Sequence, residues 1–171
     1  MIDDANLGWL INEILIAHTD HKNIFIIGNG GSAALASHFA QDLAKGTRGE
    51  TWTKHRIKAQ SLTDNTPFIT ALGNDDGYDR VFEQQLRTYA NSGDILIAIS
   101  GSGSSANILK AVEWANHNKV LTVGVTGFDG GKLKPLSKIS IHVELNDMET
   151  VESIHSYLLH YIILRLKQTL L

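Results

Sequence analysis

Apolar positions follow two alternating rhythms along this chain. Leu10, Ile11, Ile14 and Leu15 recur at helical spacing, which predicts an amphipathic helix over Asp3 to His18. Asn23 to Ile27 is instead a short continuous run of Ile and Phe, the pattern of a buried strand. The same alternation continues to the end. Further strands are expected at Ile57 to Leu62, Ile95 to Ile99, Leu121 to Thr126 and Ile139 to Leu145. Helices are expected at Ala33 to Lys45, Thr66 to Leu72, Asp79 to Tyr89, Ala106 to Ala115, and from Glu149 onward. Pro67 suits a first helical turn, where a missing N–H costs little. Gly46 to Lys54 is polar and reads as a loop. Gly130, Gly131 and Pro135 punctuate a short helix or turn. Strands alternating with helices imply a parallel sheet covered on both faces. With right-handed crossovers this is a doubly wound α/β sandwich. No linker, repeat or low-complexity segment interrupts it, so residues 1–171 are expected to form one domain.

Composition narrows the function classes. The 171 residues carry 15 basic and 18 acidic side chains, a net charge of −3, which gives no reason to expect nucleic acid or an anionic membrane as partner. There is no cysteine, so thiol and disulfide chemistry are excluded. Met1 to Leu7 has acids where a signal peptide needs bases. No apolar run is long enough to span a bilayer. A soluble, cytoplasmic protein is the expectation.

Two glycine-rich loops fall at carboxyl ends of expected strands, where open α/β sheets bind ligands. Ser100-Gly-Ser-Gly-Ser-Ser105 lies between a buried strand and a helix. Its amides and hydroxyls suit an anion such as phosphate. No Lys follows as in a nucleotide-binding P-loop. Gly28-Asn-Gly-Gly-Ser32 lacks the dinucleotide spacing and reads equally well as a tight strand-to-helix turn. His38 and Asp42 are four apart on one helical face. Glu152, His155 and His160 lie on the terminal helix, with Glu152 and His155 sharing a face. His and carboxylate groups suit a divalent metal or acid–base work, and equally a solvated surface or a histidine satisfied in the core. Asn74-Asp75-Asp76-Gly77 has turn composition. Ile162, Ile163, Leu166 and Leu170 form an apolar stripe for core packing or a subunit interface. Trp9, Trp52 and Trp114 are too scattered to make a stacking platform for bases.

Taken in order, Gly28-Asn-Gly-Gly-Ser32, His38-Phe-Ala, Gly73-Asn-Asp75, Gly93-Asp94, Ile99-Ser-Gly-Ser-Gly-Ser-Ser-Ala-Asn107, Thr126-Gly-Phe-Asp-Gly-Gly131 and Glu152-Ser-Ile-His155 resemble the sugar isomerase (SIS) domain. Within it they most resemble the phosphoheptose isomerases, from about residue 23 to the end. The resemblance implies a three-layer sandwich with a five-stranded parallel sheet, and a homotetramer with active sites at subunit interfaces. It implies conversion of D-sedoheptulose 7-phosphate to D-glycero-D-manno-heptose 7-phosphate, a first step towards heptose for surface glycans such as lipopolysaccharide or capsule.

Position by position, the resemblance assigns Ser100, Ser102 and Ser105, with Gly101, to the phosphate. Asn29, Gly30 and Ser32 fall in the first loop and Asp75 near the sugar. Asp42 stands where a glutamate moves the proton between two carbons, and His160 matches its acid–base partner. His38, Asp42, Glu152 and His160 match a Zn²⁺ site whose third ligand is usually glutamine. Glu149 stands where a substrate-contacting aspartate is common. This chain departs in three places: Asp42 is one methylene short, Glu152 adds a charge, and there is room for one helix before the first strand where the family has two. Two other readings compete. A non-catalytic SIS protein of the replication-initiation-regulator type would have lost the metal and acid–base positions, which here remain polar and competent. An isomerase of another phosphosugar would share the Ser loop but differ around His38 and His160. A sugar-phosphate-sensing transcription regulator would need a DNA-binding domain that the sequence lacks.

Overall fold

A computed structural model describes residues 4–48 and 56–171. Most of the polar stretch expected as a loop, with Trp52, falls outside the described residues, as does the first residue of the helix expected from Asp3. The elements follow in the order α1 (Asp4–Thr19), β1 (Asn23–Gly28), α2 (Gly31–Gln41), β2 (Lys58–Ser61), α3 (Thr66–Asp75), α4 (Val81–Tyr89), β3 (Ile95–Ser100), α5 (Ala106–His117), β4 (Leu121–Thr126), α6 (Leu133–Leu136), β5 (Ile139–His142) and α7 (Met148–Leu170). All five strands are parallel, in the spatial order β2-β1-β3-β4-β5.

Successive strand residues point to opposite faces, and each face has its own core. Ile24, Ile26, Ile95, Ile97 and Ile99 pack with α1, α2 and α7. Phe25, Ile27, Leu96 and Ala98 pack with α4, α5 and α6. Strands buried on both sides need no polar alternation, which is why they read as continuous apolar runs. Ile162 and Leu166 are fully buried in the first core, so the stripe on α7 is core packing. Asp94 pins the amino ends of β1 and β3 together. It is 1% exposed and accepts from the amides of Asn23 (2.9 Å) and Asn91 (2.8 Å).

Of the boundaries that differ from expectation, three have a clear local reason. α3 runs through Asp75, into the segment with turn composition. Asn65 caps its start by accepting from Phe68 N, and the chain breaks away only at Gly77, with φ +94°. β5 stops at His142 instead of Leu145, because its partner β4 ends at Thr126 and leaves the last residues without a ladder. After Gln41 the α2 helix widens into a π turn over Asp42–Gly46. Such turns are concentrated at functional sites.

Candidate active site

The chain leaves β1 towards β2 on one side and leaves β3 towards β4 on the other. The carboxyl ends of these neighbouring strands therefore form a topological switch point, where a crevice opens. Register pairs Gly28 with Ile99, so Asn29 emerges beside Ser100. Asn29 and Asn107 exchange two side-chain hydrogen bonds of 2.9 Å across the gap.

The Ser100–Ser105 loop is held by its carbonyls. Gly101 O accepts from Gly127 N (2.8 Å), and Gly103 O accepts from Leu133 N (2.9 Å). Ser100, 6% exposed, accepts at its hydroxyl from Gly103 N (3.2 Å). Gly103 has φ +61°, and a Cβ there would stand 2.1 Å from Gly130 O. With carbonyls spent inward, Ser102 and Ser104 are exposed, and Ser105 precedes α5 with a hydroxyl that makes no capping bond. The first amides of a helix have no intrahelical acceptor. This rim is electropositive without a basic side chain in the loop, which suits a phosphate.

His38 on α2 and Asp42, the first residue of the π turn that continues it, stand four apart in sequence, and α7 brings His160 against them. Asp42 Oδ2 lies 3.5 Å from His38 Nε2 and 3.6 Å from His160 Nε2. The two imidazoles meet edge-on with centroids 5.0 Å apart. One donor atom from each of the three residues lies within 4.8 Å of the others. Bonds of about 2.0–2.1 Å to a tetrahedral ion put neighbouring donors about 3.3 Å apart. Two imidazoles and a carboxylate at this spacing fit a divalent metal such as zinc with a position left open. Among the described residues this close group does not include Glu152. The Glu152 carboxylate instead lies over the start of α2, its oxygens 2.6 and 2.7 Å from where a Cβ on Gly31 would be. A groove of about 440 Å³ runs between α2 and α7, lined among others by Gly31, Ser32, His38, Glu149 and Glu152. A larger cavity of about 770 Å³ lies at the amino ends of the strands, rimmed by Lys22, Lys119 and Lys138, and carries none of this chemistry.

Residues 4–127 match the SIS domain family. The phosphoheptose isomerase of Aliarcobacter butzleri is 43% identical over 142 residues, covering 82% of this chain and 73% of its own. The chain belongs to the phosphoheptose isomerase family. A solved phosphoheptose isomerase of Neisseria gonorrhoeae superposes with a TM-score of 0.88 at 31% identity, over 96% of this chain and 86% of its own. That of Francisella tularensis also gives 0.88, at 26% identity over the same shares. The five-stranded all-parallel sheet is the family's fold.

Of the positions that resemblance to phosphoheptose isomerases singled out, Ser32 is buried on the groove wall and Gly30 turns the chain into α2 with φ +54°. Glu149 is exposed in the first turn of α7. Asp75 is exposed at the end of α3 and accepts from Asn74 (2.7 Å), and among the described residues its side chain makes no hydrogen bond to another candidate. Tyr78 and Asn107 carry no role in the sequence reading, yet both bond to Asn29. An asparagine in the first turn after a Ser loop was the available signal. Nothing in the sequence marked Tyr78.

His155 is a core histidine, fully buried, with Nε2 donating to Thr126 O at 3.1 Å. Burial holds its pKa below the ordinary 6.5, and only partly is this offset by the Thr126 bond. His142 is lowered too, first by burial and then by Lys134. Below about pH 6.5 the unfolded chain takes up protons that these folded imidazoles refuse, so stability falls as pH falls. The urea midpoint is expected to drop between pH 7.5 and 5. His155→Gln keeps an N–H for Thr126 but cannot titrate, and should flatten that slope. An unchanged slope would exclude His155 as its source.

Proposed function

We propose that the chain is an aldose–ketose isomerase that converts D-sedoheptulose 7-phosphate to D-glycero-D-manno-heptose 7-phosphate. The observation that carries this reading is a carboxylate, Asp42, set between two imidazoles, of which His38 also lines the groove between α2 and α7. The phosphate binds at Ser100, Ser102 and Ser105. Remote binding there fixes the position of the reacting carbons, so phosphate affinity becomes orientation at C1 and C2. Asn29, Gly30, Ser32, Asp75 and Glu149 hold the sugar. Asp42 removes a proton from C1 while His160 donates one to the C2 oxygen, giving an enediol. His160 then takes the proton from the C1 oxygen, and Asp42 returns its proton to C2, so every proton is accounted for.

His38, Asp42 and His160, with Glu152 as fourth ligand by resemblance, would hold one Zn²⁺, which when bound supplies Lewis-acid polarisation of the sugar oxygens. Chelation is expected to lower turnover by about a hundredfold or more, with recovery on adding zinc. Undiminished turnover in the chelated protein would remove the metal from the reading. The reaction itself is tested by NMR of sedoheptulose 7-phosphate and purified protein in D₂O, where deuterium should appear at C2 of the aldose. Phosphosugar binding without turnover under any metal condition would favour a non-catalytic SIS protein.

The reading further places the enzyme in the cytoplasm as a homotetramer. Large apolar side chains exposed on α1 and α7, among them Trp9, Ile16, Tyr157 and Leu164, support a subunit contact. Light scattering would give the subunit count directly.

A further inference from the structure

The bonds around Asn29 fix its orientation completely. Ile108 N can only donate, and it donates to Asn107 Oδ1 at 3.0 Å, which settles which end of the Asn107 amide is oxygen. The same Oδ1 accepts from Asn29 Nδ2 at 2.9 Å, and Asn107 Nδ2 returns a 2.9 Å bond to Asn29 Oδ1. The result is a closed amide pair bridging the two glycine-rich loops. Tyr78 supplies the last contact. Its hydroxyl donates to Asn29 Oδ1 at 3.1 Å.

A carbonyl oxygen has two lone pairs, and on Asn29 both are now filled. Among the described residues one N–H of the Asn29 amide has no acceptor, and Asn29 is only half-buried at the crevice. A carboxamide that could either donate or accept is thereby restricted to donating. Tyr78 follows Gly77 on the segment between α3 and α4, and its side chain is largely exposed, 59% for the residue. A phenol so placed adds little to the core. Among the described residues its bond to Asn29 is its one polar contact with the crevice.

We propose that Tyr78 is a positioning residue that holds Asn29 as a pure hydrogen-bond donor, so that the crevice selects an acceptor oxygen of the sugar at that point. The substrate named in this inference rests on the isomerase reading above, whereas the amide clasp stands without it. Removing the phenolic hydroxyl frees one lone pair of Asn29, so that the amide can accept as well as donate, and removes the preference.

The test is Tyr78→Phe, with three readouts. In the unliganded protein, the side-chain amide NMR signals of Asn29 and Asn107 should shift while the backbone signals of β1 and β3 stay in place. On sedoheptulose 7-phosphate, KM should rise about tenfold, the effect of one lost hydrogen bond, with kcat within about twofold. The inhibition constant of inorganic phosphate, which engages only the Ser loop, should not change. Asn29→Asp, which lacks any N–H at this position, should raise KM at least as much. Unshifted Asn29 signals would overturn the clasp. An equal loss of phosphate affinity, or a fall in kcat at constant KM, would overturn the positioning role. If the wild type turns over no heptose phosphate at all, the isomerase reading fails while the NMR result still decides the clasp.

Discussion

Asp42→Asn is expected to lower kcat on sedoheptulose 7-phosphate by about a thousandfold, within the usual range for losing a positioned general base. Asparagine has nearly the same shape and keeps an oxygen towards His38 and His160, but it cannot carry a proton. The Asp42 side chain is 21% exposed at the end of a helix and fills no core position, so the fold should survive. Asp42→Glu restores a carboxylate one methylene further out and should retain measurable turnover. Deuterium incorporation at C2, followed by NMR, measures both variants on the step in question. Full activity in Asp42→Asn would move the base to another group, for which the groove between α2 and α7 offers the carboxylates of Glu149 and Glu152.

Gly103→Ala should have the largest effect on binding. Alanine at φ +61° costs about 1–2 kcal/mol in backbone strain alone. Its Cβ would also stand 2.1 Å from Gly130 O, a backbone atom with no side-chain freedom to yield. The loop must lift from the Gly127–Gly131 turn, breaking the bonds from Gly127 N and Leu133 N that aim its carbonyls inward. Affinity for inorganic phosphate, read by calorimetry, is expected to fall about a hundredfold or more. Each 1.4 kcal/mol is tenfold, and strain and clash act together. Retained affinity would mean that phosphate is held elsewhere than at Ser100–Ser105.

What the sequence makes legible follows from how local each signal is. β3, its Ser loop and α5 could be read directly, because an apolar run, a glycine-serine run and a helix lie end to end. β4 was equally plain. The pairing of His38 with Asp42 is a property of one helix and was visible in the spacing. The arrival of His160 depends on how α7 packs, and the residues reached it only through the family resemblance. The separation of Glu152 from the close metal-competent group has the same origin, since it depends on the space that Gly31 leaves above α2. The π turn at Asp42 has no compositional mark. Neither has Tyr78, whose contact comes from a distant segment folding over the first loop. Asn74 to Gly77 misled because its composition is that of a turn, while only Gly77 takes a conformation that ends the helix.

Asn29 and Asn107 are 78 residues apart in sequence and meet only when β1 and β3 have docked. The crevice between them needs both loops, so the unfolded or half-assembled chain has no pocket for the sugar. A ligand in the crevice therefore draws on the native state alone, and occupancy adds to folding stability by mass action. At a ligand concentration of a hundred times Kd that gain is about 2.7 kcal/mol. Substrate abundance would then set how long the protein persists, as well as how fast it works.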